Sequence, residues 1–72
     1  MDRLIKILQG INPLVLEKKE KIITDSVVDS VDLVEIIGEI EQEFNIEIPI
    51  ELITPDNFDS VEKMWELIVQ LM

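Results

Sequence analysis

Apolar residues in the first eleven positions recur at intervals of three and four: Met1, Leu4, Ile5, Leu8 and Ile11. On an α-helix that spacing gathers them on one face, so a short amphipathic helix is predicted over about the first ten residues. Gly10 and Pro13 are expected to end it. From Asn12 to Asp29 the helical period is lost. Leu14-Val15-Leu16 and Ile22-Ile23 bracket the polar run Glu17-Lys18-Lys19-Glu20-Lys21, which predicts a long connection returning along the core and pinned there by its two apolar clusters. A connection of that length inside a small domain usually has a function or counts against its assignment as a loop.

From Ser30 the pattern is clear. Leu33, Ile37, Ile40 and Phe44 are spaced four, three and four, forming a stripe, while Asp32, Glu35, Glu39 and Glu43 fall largely on the opposite side. Asp29 is the expected N-cap, Asp32 adds negative charge near the helix's positive end, and Asn45 is the expected stop. Ile46 to Ile50, with Pro49, reads as a connector. Thr54-Pro55-Asp56-Asn57-Phe58 suits a single helical turn capped by Thr54 with Pro55 first, and Phe58 is expected to plug the core. The last helix is predicted to open with Asp59 as N-cap and Glu62 three residues on, resembling a capping box. Its inner face is Val61, Met64 or Trp65, Ile68 and Leu71. Three longer helices, one short helix and no strand predict an all-α, small four-helix bundle.

Seventy-two residues suit a single domain over 1–72 with a compact core, and the 47 % apolar content can fill it. The absence of cysteine and histidine excludes disulfides, thiolate metal sites and the usual neutral-pH base. A disulfide-free chain without a basic leader or an apolar run of about 18 residues is expected to be cytoplasmic and to lack a membrane span.

Charge sharpens the picture. Of the net −10, the interval between Lys21 and Lys63 carries twelve acids and no base. Basic proteins are the expected partners, and nucleic acid is excluded because phosphate binding relies on clustered Lys and Arg. Asp25, Asp29 and Asp32 lack the alternating spacing and turn glycine of a calcium loop.

The tripeptide Asp-Ser-Val occurs at Asp25-Ser26-Val27, Asp29-Ser30-Val31 and Asp59-Ser60-Val61. Its ordinary role is a cap or turn. Ser26 has no helix directly behind it, and Ser60 heads a helix with a short acidic face, so it reads as structural. Ser30 alone opens a long acid-faced helix. With no histidine and no glycine-rich loop, it has neither base nor oxyanion hole for catalysis of its own. An exposed hydroxyl at a helix start, where free N–H groups and the dipole tolerate a phosphate, suits covalent modification instead.

Asp29-Ser30-Val31-Asp32-Leu33-Val34-Glu35, with Glu39-Ile40-Glu41-Gln42-Glu43-Phe44 and Ile46-Glu47-Ile48-Pro49, resembles the acyl carrier protein family, and the similarity extends through most of the chain. Val31 stands where the family usually has leucine. The resemblance implies a four-helix bundle in which Ser30 receives 4′-phosphopantetheine from coenzyme A, the arm's thiol then holding an acyl or aminoacyl group as a thioester. It implies a non-catalytic carrier that serves as substrate for a phosphopantetheinyl transferase, a loading ligase, and downstream acyltransferase or synthase enzymes with basic docking patches. The carrier is expected to be a monomer. Asp29, Val31, Asp32, Glu35 and Glu39 are the candidate partner-recognition residues. Asp32 and Glu35 match the acidic pattern of fatty-acid carriers, which favours a fatty acid, polyketide or related pathway. Val27-Val28-Asp29-Ser30 and Asn57-Phe58-Asp59-Ser60-Val61 are similar to D-alanyl carriers loaded by an AMP-forming ligase. An acidic interaction module without a prosthetic group is the competing class. Gly38, which costs roughly 1 kcal/mol against alanine in a helix interior, is read as a site of close helix packing or as space for cargo or a partner side chain.

Overall fold

The computed structural model describes all residues, 1–72, and orders them as helices without a β-strand. Helix α1 spans Asp2–Ile11, α2 Leu14–Lys18, α3 Ser30–Phe44, α4 Pro55–Phe58 and α5 Val61–Leu71, with a 3₁₀ turn at Ile50–Leu52 between α3 and α4. The three longer helices are the expected ones, in an all-α domain of acyl-carrier type. The chain adds α2 and the 3₁₀ turn to the single short helix expected from sequence.

Helix α1 buries Leu4 and Leu8 and packs on α3. It runs through Gly10 and stops at Asn12, whose backbone is extended ahead of Pro13. Glycine weakens a helix without terminating it, whereas the residue before proline is driven sterically out of the α region. Pro13 then stands as N-cap of α2, whose Val15 is fully buried, so part of the expected connection is helical.

The remaining connection, Lys19 to Asp29, is stitched down by hydrogen bonds. The Val61 N–H donates to Lys19 O, that of Ile22 to Asp59 O, and that of Val28 to Ile22 O. Ile22 and Val28 enter the core. Lys19, Lys21 and Ser26 adopt positive φ, a strained conformation for these residue types that the surrounding bonds hold in place. The buried apolar residues of the connection thus carry it along the core as the two clusters predict.

Helix α3 faces the core through Ile36 and Ile40, both fully buried, with Leu33, Ile37 and Phe44 half-buried beside them. The stripe is centred one position from the predicted one and includes Ile36. Asn45, in the left-handed conformation, ends the helix and donates to Glu41 O. The Glu41 carboxylate accepts the Ile48 N–H at 2.9 Å, which tethers the following connector.

Thr54 caps α4, and Phe58 plugs the core at 1 % exposure. Helix α5 is capped by Ser60, whose Oγ accepts the Lys63 N–H at 3.0 Å. Asp59, the cap expected from sequence, is committed elsewhere, its carboxylate holding the connection. Glu62 therefore lies only two residues beyond the cap, and no capping box forms. Met64, Leu67 and Ile68 are the buried side of α5. Trp65 is half-buried and meets Phe44 edge-on, with ring centroids 6.0 Å apart.

Gly38 is not a close-packing site. It is exposed, and a Cβ there would meet nothing within 4 Å.

Candidate functional site at the start of α3

Five side chains carry a hydroxyl: Thr24, Ser26, Ser30, Thr54 and Ser60. Thr24 donates its hydroxyl to Asp59 at 2.8 Å, and Thr54 and Ser60 accept cap bonds from Asn57 N–H and Lys63 N–H. Ser26 is exposed in a left-handed turn. Ser30 is exposed at the first position of a fifteen-residue helix.

Local sequence explains that placement. Asp29 is extended at φ −93 and ψ −177, and its Oδ1 accepts the Asp32 N–H at 2.8 Å. The Leu33 N–H bonds to Asp29 O, which closes the first turn. The N–H groups of Ser30 and Val31 are left without a backbone acceptor, as at any helix start. They aim the positive end of the helix dipole toward the space around Ser30.

A shallow surface depression of about 450 Å³ is lined by Ser30, Val31, Val34 and Glu35. Val31 and Val34 are 64 % and 69 % exposed, large values for valine, and they put an apolar shelf beside the hydroxyl. The fit to a phosphopantetheine arm is good on chemical grounds. A primary hydroxyl is free in solvent, unsatisfied N–H donors can meet a phosphodiester, and the shelf can accept the arm's aliphatic part.

The family model for the phosphopantetheine attachment site matches residues 2–68. The chain belongs to that family. It is therefore a phosphopantetheine carrier domain, a class to which 4′-phosphopantetheine is attached covalently and which interacts with modifying and pathway enzymes. No curated protein and no solved structure gives a significant match. No helix is long and apolar enough to cross a membrane.

The five candidate recognition residues of this phosphopantetheine carrier are not equivalent. Glu35 is exposed and makes no ion pair, and Val31 is exposed next to Ser30. Asp29 spends one carboxylate oxygen on the helix cap. Asp32 is half-buried, and its Oδ2 accepts from the Asn12 side chain at 3.2 Å. Glu39 is exposed but shares a surface hollow with Arg3, Lys6 and Glu43. Glu43 itself is paired, with Arg3 Nε 2.8 Å from Oε2. The Arg3 Nη2 donates to Glu43 O, and its guanidinium lies 4.6 Å from the centre of the Phe44 ring. The acidic face is thus partly neutralised toward its C-terminal end and open around Glu35.

Two residues outside the five recognition candidates fasten the connection that leads to Ser30. Asn12 joins α1 to the start of α3. Asp59 fixes the connection, Oδ1 accepting from the N–H groups of Ile23 and Thr24, each at 2.9 Å. These donors, the Thr24 backbone and hydroxyl first, hold the Asp59 carboxyl below its ordinary pKa, with Lys63 adding a smaller effect. The sequence offers a hint for Asn12 alone, since Asn before Pro favours the start of a turn.

Proposed function

We propose that Ser30 is the attachment residue and that the 72 residues act as one monomeric, cytoplasmic carrier domain that presents acyl intermediates to biosynthetic enzymes without catalysis of its own. The observation that carries this reading is the exposed Ser30 hydroxyl at the start of α3, in a chain of the phosphopantetheine attachment family. On modification the Ser30 oxygen bonds to the pantetheine-side phosphorus of coenzyme A's diphosphate. The bond to adenosine 3′,5′-bisphosphate breaks, and the hydroxyl proton leaves to a base of the transferase. The chain has no histidine, and the Asp29 carboxylate beside Ser30 is engaged in the helix cap, so the base is assigned to the enzyme. Once bound, the arm supplies a terminal thiol that carries cargo as a thioester. Asp29 keeps the first turn of α3 formed, Val31 and Val34 offer apolar contact beside the arm, and Glu35, with Asp32 and Glu39, meets basic partner surfaces.

Exposed ion pairs of this kind contribute about 0 to 1 kcal/mol each. A cluster of one sign nevertheless raises association rates, which suits a shuttle that must bind and leave quickly. The open Glu35 region favours a fatty acid, polyketide or related pathway. Aminoacyl cargo, D-alanine included, is the second reading, favoured by Asn57-Phe58-Asp59-Ser60-Val61, whose Asp59 and Ser60 build the junction that holds the connection. The family assignment leaves no support for an adaptor lacking a prosthetic group.

Incubation of the apo protein with coenzyme A and a broad-specificity phosphopantetheinyl transferase is expected to add one phosphopantetheine to the wild type and none to Ser30→Ala. Intact-protein mass spectrometry reads the result. Modification of Ser30→Ala would overturn the assignment.

A further inference from the structure

Asn12 sits half-buried where α1 ends, and its carboxamide reaches three separate pieces of chain. Nδ2 donates to Val27 O at 2.8 Å and to Asp32 Oδ2 at 3.2 Å, while Oδ1 accepts the Leu14 N–H at 3.2 Å. Both donor hydrogens and one acceptor lone pair are used, nearly the full capacity of a primary amide. Val27 lies three residues before Ser30 and Asp32 two residues after it, so the two Nδ2 bonds straddle the serine. The opposite end of the connection is held by Asp59, through Ile22, Ile23 and Thr24. Between these clamps the stretch is held by burial of Val28 and its bond to Ile22 O, and α3's first turn by the Asp29 cap, so the Asn12 bonds are the ones that tie both to the α1–α2 corner.

We propose that Asn12 is a positioning residue for Ser30, clipping the end of the connection and the first turn of α3 to the α1–α2 corner so that the hydroxyl is presented in one orientation. The inference depends on the reading that Ser30 is the modified residue. A fixed hydroxyl is a matter of orientation for an attacking oxygen, so its loss belongs in kcat of the transferase more than in KM. The same bond draws the Asp32 carboxylate inward, which makes Asp32 part of the clamp as well as of the acidic face.

The test uses apo full-length protein and one broad-specificity transferase. Asn12→Ala is expected to lower kcat for modification by about fivefold, the equivalent of one ordinary hydrogen bond, with little change in KM. Deuterium exchange of the amides from Asp32 to Val34 is expected to accelerate. Ile40→Val loosens the core ten residues along α3 from Ser30, and is expected to leave both readouts unchanged, which separates orientation from general destabilisation. Asn12→Asp removes the donors and sets a second carboxylate against Asp32. Its cost should shrink when Asp32→Asn is introduced, because the new amide can donate across the same gap. Wild-type kcat in Asn12→Ala, equal slowing in Ile40→Val, or an Asn12→Asp cost indifferent to Asp32→Asn would each overturn the proposal. Absence of modification in the wild type, or its survival in Ser30→Ala, would instead remove the Ser30 reading. The exchange measurement on apo protein would still decide whether Asn12 clamps the turn.

Discussion

At Gly38 the backbone of α3 is exposed, and apart from the adjoining helix backbone nothing lies within 4 Å of the place a Cβ would occupy. A glycine inside a helix costs about 1 kcal/mol against alanine through the freedom it loses on folding. Gly38→Ala is therefore expected to stabilise the domain by about that amount, read as a higher urea midpoint at unchanged m-value. For a domain of this size the melting temperature should rise by about 4 to 8 °C. A loss of stability would mean that an unseen neighbour occupies the space. Asp59 is the opposite case, a side chain whose surroundings define its worth. Its folded pKa is depressed by the Thr24 and Ile23 donors, so its contribution is fully present above the unfolded carboxylate value, near pH 4. It is lost as pH falls further, through the folded value. Asp59→Asn should lower stability at pH 7 and flatten the stability profile below about pH 4 relative to wild type. Parallel profiles for the two proteins would refute that role.

Helix α3 is secured along its whole length by different means. Its start is held by the Asp29 cap and Asn12, its middle by the burial of Ile36 and Ile40, and its end by Phe44 against Trp65 and Arg3. Truncation in the middle should be the most damaging: Ile40→Ala is expected to cost about 2 to 5 kcal/mol, and denaturant unfolding measures it. Ser60→Ala, which removes the α5 cap, should cost about 1 kcal/mol by the same measurement. The three long helices are legible in the sequence because an apolar stripe with period 3.6 is a local signal, and so is the Asp29 cap that places Ser30 at a helix start. Helix α2 is less legible, since five residues are too few to show a period and its formation depends on burying Val15. The choice between Asp59 and Ser60 as cap is likewise undecidable locally. It is made by Ile23 and Thr24, more than thirty residues away, which claim the Asp59 carboxylate. Asn12 belongs to the same class, because its partners at Val27 and Asp32 become neighbours only once the connection has folded back.

Across the whole molecule, 27 × 24 × 20 Å in extent, the net charge of −10 is distributed by the fold as well as by the sequence. Helix α1 packs on α3 and brings Arg3 to Glu43, with Arg3 and Lys6 both bordering the hollow that Glu39 shares. The basic residues of the N-terminal segment thereby quench the end of the acidic face remote from Ser30 and leave the region of Glu35 exposed. The uncompensated negative charge of α3 therefore lies toward its N-terminal end, although Glu35, Glu39 and Glu43 look alike in sequence. This yields a comparison of charge removal at two positions on one helix. Glu35→Gln is expected to slow association with a phosphopantetheinyl transferase, by up to about fivefold given the 0 to 1 kcal/mol range of exposed pairs, and to reduce the dependence of the association rate on salt. Glu43→Gln should change neither by a comparable amount, because Arg3 already occupies that carboxylate. Stopped-flow association rates over a series of ionic strengths make the comparison. Equal effects at the two positions would show that the partner senses only total charge, and that the pairing of α1 with α3 has no part in directing it to Ser30.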